Sequence, residues 1–160
     1  RNKKGEETME DLVNTVTASA TYSGDMLGAL YVMAAWTAIT WIIMTFVRLG
    51  AMNAAGLAPD DAKHTDALSV LPSRPRQMAD NYNHLFEVPV VFYALVLAVI
   101  VSGSADQIHM YCAWGFVASR IVHSLWQWTS NAVAIRFPLF ALGWILLMVM
   151  IVRELLAYLG

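Results

Sequence analysis

The 160-residue chain has a single cysteine, Cys112, which excludes an intrachain disulfide. Cys112 lies inside an apolar run with nothing beside it to favour a thiolate, so it reads as a buried, inert thiol. Charge is also scarce. Lys, Arg, Asp and Glu make up 14% of the residues, against about a quarter in soluble domains. The net charge is −2, and no basic cluster is interleaved with aromatics, so there is no footprint for nucleic acid. The chain has no internal repeat and no low-complexity tract. It shows no basic segment followed by an apolar stretch and a small-residue cleavage site, so the first apolar run is expected to serve as the membrane signal. Residues 1–8 (RNKKGEET), which begin on Arg, are expected to be a trimmed or appended end.

What the chain has instead is apolar length: 58% of its residues are hydrophobic, concentrated in long runs. That pattern predicts an all-α integral membrane protein with four spans. The first span covers about Met26–Val47, opened by Ser23-Gly24-Asp25 and closed by Arg48. Its length corresponds to about 33 Å of helix, enough to cross a bilayer core. The second covers about His84–Ser102, in a helix starting near Arg76. The third covers Gln107–Trp128, and the fourth Phe137–Tyr158 with Pro138 in its first turn. Residues 1–24 read as a polar N-terminal segment and residues 25–160 as a four-helix transmembrane domain. A tight Gly-Ser-Ala-Asp turn at Gly103–Asp106 makes the second and third spans antiparallel neighbours. Arg48, Lys63, Arg74, Arg76 and Arg136 gather in the first and third loops, so the positive-inside rule places those loops in the cytoplasm. Trp126 and Trp128 fall where an aromatic belt would lie, and Trp36, Trp41, Trp114 and Trp144 read as lipid-facing or packing groups.

A few ionisable groups lie inside this apolar frame: Glu87 in the second span, Arg120 and His123 in the third, and Arg136 at the start of the fourth. An unpaired charge at a helix centre costs roughly 2.5–3.5 kcal/mol on insertion scales, so such groups pair with one another or meet a polar ligand. Arg120 should lie about 12 Å inside the membrane and Glu87 about 16 Å, in one half of the bilayer with Arg48 and Arg136. Arg120, His123 and Gln127 follow i, i+3, i+7 spacing and share a helix face. One use of these charges is a buried Glu87–Arg120 ion pair that fixes helix register. The other is a pocket with a positive excess, suited to a small anionic peptide that also carries a cation. Pro89 should kink the second helix just beyond Glu87. His84, His109 and His123 show no close-spaced metal-ligand motif, and a bis-His haem on His84 and His123 is the least favoured alternative.

The segments NYNHLFEVPVVFYALVL, SRIVHSLWQW and IRFPLF together resemble the MAPEG superfamily, membrane-associated proteins in eicosanoid and glutathione metabolism, and the chain looks like a bacterial-type member. The likeness covers about residues 26–158. It implies a homotrimer of four-helix bundles in a bacterial inner membrane, with glutathione as co-substrate between neighbouring protomers. Arg48, Asn83, His84, Glu87, Arg120, His123 and Gln127 would hold the tripeptide, and Arg136 would be the catalytic cation that stabilises its thiolate. No metal is implied. The expected activity is that of a glutathione-dependent transferase or peroxidase acting on hydrophobic electrophiles. Several positions depart from the family pattern. His84 stands where Asn is usual, Gln127 and Phe140 stand where Tyr is usual, and basic residues before Glu87 are missing. These departures motivate a second expectation, a non-catalytic subunit that binds lipid or a protein partner in a larger membrane assembly.

Overall fold

The computed structural model describes residues 3–160, with side chains from residue 8 onward apart from residue 65. The reading of residues 1–8 as an appended end falls largely outside the described residues. Five α-helices follow in order: α1 (Lys3–Ala54), α2 (Ser73–His84), α3 (Val88–Ser102), α4 (Gln107–Trp128) and α5 (Val133–Leu159). Two 3-10 turns, Pro59–Ala62 and Thr65–Val70, occupy the loop between α1 and α2. No strand occurs among the described residues. Three helical stretches, 8–54, 73–102 and 133–159, are long and apolar enough to cross a membrane.

α4 is the central helix, packed most extensively against α5 and α1. Six of its ten buried residues are polar: His109, Ser119, Arg120, His123, Ser124 and Gln127. This composition explains why α4, though 22 residues long, is not among the apolar candidate spans. Its polar face turns inward, as groups that lipid cannot solvate must. Around it, Met26, Ala29 and Met33 of α1, Phe92, Val96 and Val99 of α3, and Leu147 and Met150 of α5 close an apolar core. Phe92 stacks on Phe116 at 4.6 Å between ring centroids. The opposite faces of these helices expose Ile39, Ile42, Phe46, Val90, Val101, Ile145, Met148 and Leu155, an apolar exterior of the kind lipid covers.

The element boundaries depart from the sequence expectation in three places, each for a local reason. α1 does not open at Ser23-Gly24-Asp25; it passes through them as one helix of 52 residues, about 78 Å long. Pro89 does not kink a continuous helix beyond Glu87. The chain breaks just before it, at Leu85–Glu87, because the proline ring cannot share space with the Leu85 carbonyl four residues back. The last turn of α2 tightens, with the N–H of Phe86 donating to the Asn83 carbonyl at 2.9 Å, and Glu87 sits at the N-terminus of the new helix. Pro138 lies inside α5 and not in its first turn, because that helix starts at Val133.

The α3–α4 turn forms as expected. Gly103 ends α3 in the left-handed region at φ 73°, and Asp106 caps α4 by accepting the His109 backbone N–H at 2.9 Å. An ionic cluster fastens this turn to α5. The Arg153 guanidinium donates to Asp106, the buried His109 ring sits 3.0 Å from Asp106 and 3.5 Å from Glu154, and the Ser104 hydroxyl donates to Glu154 at 2.6 Å. Burial alone would raise the Asp106 pKa; the His109 N–H, the His109 ring and Arg153 outweigh it and hold the carboxyl below its ordinary value of 3.8. A carboxyl depressed in the folded state contributes stability above its unfolded pKa and loses it as pH falls through the folded one. Thermal scans in detergent should therefore show wild type losing its margin over Asp106→Asn below about pH 4. Asp106→Ala, which also removes the helix cap, should cost about 1 kcal/mol more than Asp106→Asn at neutral pH.

Candidate functional site

The expected site residues gather at the end of the molecule where α1, α2 and α4 finish and α5 begins. The packing of α1 on α4 sets their register. Trp36 stacks on Trp128 at 5.5 Å and its indole N–H donates to the Ser124 hydroxyl at 3.2 Å. Both tryptophans are thus packing groups between helices. α2 brings His84 to His123, with the two rings edge to face at 6.4 Å, and His123 stands 6.4 Å from the Phe140 ring on α5.

Arg120 is the most unusual residue in the molecule. It is 2% exposed, and no carboxylate lies within ion-pair distance of it among the described residues. Its Nη2 donates to the Leu139 carbonyl at 2.9 Å, while Nε is buried without a partner. The guanidinium carbon lies 5.3 Å from the centre of the Phe140 ring and 5.7 Å from that of Phe116. Ring faces and one carbonyl attract the cation but do not neutralise it. Space for the guanidinium comes from Gly143 on α5, where an added Cβ would meet Nη2 at 3.1 Å and the Ser119 hydroxyl at 3.2 Å.

The Glu87–Arg120 ion pair, one of the two uses weighed for these charges, does not form. The helix break at Leu85–Glu87 turns Glu87 outward, where its carboxylate meets the His84 ring at 3.0 Å with 59% of the side chain exposed. Gln127 is 1% exposed and its Oε1 has no partner. Arg136 donates to the Asn131 side-chain oxygen at 2.6 Å. Arg48 and Asn83 line a cavity of about 630 Å³ together with Asp66, Arg76, Asp80 and Asn131. The arrangement therefore has two parts: a buried group around Arg120, His123 and Gln127, and a separate open polar cavity that none of these three lines. Asn131 links the cavity to Arg136, because it lines the first and accepts from the second.

Sequence reasoning missed Asn131, Gly143 and the cavity's Asp66 and Asp80. Asn131 carried a usable signal, since it stands in a short inter-helix link and adopts φ 51°, a conformation Asn tolerates better than most residues. Gly143 had none, because nothing in an apolar run says which glycine faces a guanidinium.

Comparison with protein families decides the lineage, since the MAPEG family model matches residues 26–156. The chain belongs to the MAPEG family. Neither the comparison with curated proteins nor that with solved structures gives a match. Membership accounts for the apolar helices and identifies the chain as a membrane protein. In this MAPEG chain the fit between Gly143 and Arg120 has a measurable consequence. Gly143→Ala should crowd the guanidinium and destabilise the fold by about 1–3 kcal/mol, the usual cost of overpacking, read as a lower unfolding temperature.

Proposed function

We propose that this MAPEG protein binds glutathione and transfers its sulfur to hydrophobic electrophiles that arrive through the bilayer, as a conjugating transferase or a peroxidase. The observation that carries the reading is Arg120, a buried cation with no counter-charge, in a chain whose α1 and α2 also line a polar cavity with Arg48 and Asn83, in a family of glutathione-related and eicosanoid-metabolising membrane proteins. Retaining such a charge is costly unless a ligand supplies the anion. A tripeptide with two carboxylates and one ammonium suits these residues. Arg120 and Arg48 offer guanidinium forks to carboxylates, and Glu87, His84, Asn83, His123 and the unpartnered Oε1 of Gln127 supply polar contacts for the rest.

Arg136 is the proposed catalytic residue. Asn131 takes one of its N–H groups, which fixes the guanidinium and leaves its other donors for a sulfur anion. A thiol of pKa near 8.5 ionises more readily beside a fixed cation, and the thiolate is the nucleophile. In conjugation the thiol proton passes to water, the sulfur forms a bond to the electrophilic carbon, and the leaving group departs with its electron pair. The assembly that fits is a homotrimer of four-span bundles of the bacterial type in an inner membrane, with α4 as the fourth span and the first and third loops cytoplasmic. Small residues at helix surfaces, such as Gly115, where an added Cβ would meet the Leu146 side chain at 3.1 Å, permit the close packing such bundles use.

A specific observation favours the second reading, a non-catalytic lipid-binding or partner-binding subunit. The ring of Phe140, which has no hydroxyl, lies beside the Arg120 guanidinium and provides no hydrogen bond there. Calorimetric titration of the detergent-solubilised protein with glutathione separates the two. The transferase reading expects saturable binding that Arg120→Ala weakens at least tenfold, and conjugation of a generic electrophile that Arg136→Ala slows about 100-fold with binding retained. Folded protein that takes up no glutathione would sink it and leave the subunit reading.

A further inference from the structure

The polar cavity carries charge of both signs, and none of it is neutralised within the chain. α1 contributes Arg48, α2 contributes Arg76 and Asp80, and the 3-10 turn Thr65–Val70 contributes Asp66. Among the described residues, none of these four side chains forms an ion pair or a hydrogen bond. Arg76 and Asp80 stand four apart on α2, a spacing at which opposite charges can meet, yet they remain unpaired. The cavity holds about 630 Å³, within the range of small-molecule sites.

The turn that carries Asp66 is anchored. Leu68 and Leu71, 6% and 3% exposed, pack with Met52 of α1 in a small apolar cluster of their own. The Leu71 N–H donates to the Leu68 carbonyl at 3.1 Å and closes the turn. This packing fixes where Asp66 stands. α2 is polar along most of its length (SRPRQMADNYNH), so the cavity lies among groups that water solvates and lipid does not. Ser69, Ser73 and Gln77 add neutral hydrogen-bonding groups to its lining.

Two guanidiniums and two carboxylates define the ligand's chemistry. A plain anion would meet Asp66 and Asp80, and a plain cation would meet Arg48 and Arg76. Such like-charge contacts exclude wrong partners. A small molecule with an ammonium beside a carboxylate matches both signs, and a guanidinium can hold the carboxylate through two hydrogen bonds.

We propose that Asp66 and Asp80 select the ligand by its ammonium, while Arg48 and Arg76 take the neighbouring carboxylate. In glutathione these two groups share one carbon at the glutamyl end, so the cavity holds that end. The proposal rests on the glutathione reading and deepens it, adding Asp66, Arg76 and Asp80 as specificity-determining residues. A phosphoethanolamine headgroup offers the same pairing of charges, with phosphate in place of carboxylate.

The test is calorimetry on the solubilised full chain with three probes: glutathione, glutathione acetylated on its amino group, and a short-chain phosphatidylethanolamine. Wild type should bind glutathione at least tenfold more tightly than the acetylated form. Asp66→Asn with Asp80→Asn should abolish that preference by weakening glutathione alone. Both aspartates are exposed, so the double variant should keep the wild-type unfolding temperature. The acetylation comparison uses wild type alone and decides the matter even if the variant misfolds. Equal affinity for the two tripeptides, or a preference that survives in the double variant, overturns the proposal and leaves the glutathione reading standing. Folded protein that takes up no glutathione overturns both, and lipid uptake lost in the double variant would then assign the cavity to a headgroup.

Discussion

The inward burial of the polar face of α4 is the constraint from which the remaining architecture follows. Lipid cannot solvate a guanidinium or an imidazole, so Arg120, His123, Ser124 and Gln127 have to be enclosed by other helices. That requirement makes α4 the central helix and distributes α1, α3 and α5 around it, with apolar residues on both their buried and their exposed faces. It also sets demands on the neighbours. α5 must present Gly143 where the guanidinium lies, and α1 must place Trp36 where its indole can reach Ser124 and stack on Trp128.

The two ends of the molecule use charge in opposite ways. At the α3–α4 turn, Arg153 and the His109 ring lie beside the carboxylates of Asp106 and Glu154, so cation and carboxylate are paired, and the cluster ties a turn to a helix. At the other end Arg120 is enclosed without a carboxylate, Gln127 keeps an unpartnered oxygen, and Arg48 and Asn83 line a polar cavity. A cation paired with carboxylates can contribute stability, whereas one enclosed without a carboxylate costs free energy that an anionic ligand would offset. This contrast, more than any single residue, supports placing ligand chemistry at the Arg120 end of this MAPEG protein.

Much of the fold was legible because hydrophobic runs and turn residues act locally. The limits of α4 match the sequence expectation, and Gly103 and Asp106 form the turn their chemistry predicts. The failures came from effects that cross element boundaries. Ser23-Gly24-Asp25 did not open α1, since a glycine weakens a helix without stopping it and Ser19 anchors the part that precedes it. The position of the break beside Pro89 depended on the Leu85 carbonyl, and it moved Glu87 from an inferred partner of Arg120 to an exposed partner of His84.

By itself the sequence determined that this chain is helical, apolar in long stretches and a carrier of a few ionisable groups in them, because periodicity and composition fix those properties residue by residue. The family pattern followed from the same residues. Only the tertiary structure decided which charges meet. Pairing depends on helix rotation and on breaks of a single turn, where a shift of one residue swings a side chain by about 100°. That is why Arg120 emerged without a counter-charge and why Arg136 found Asn131.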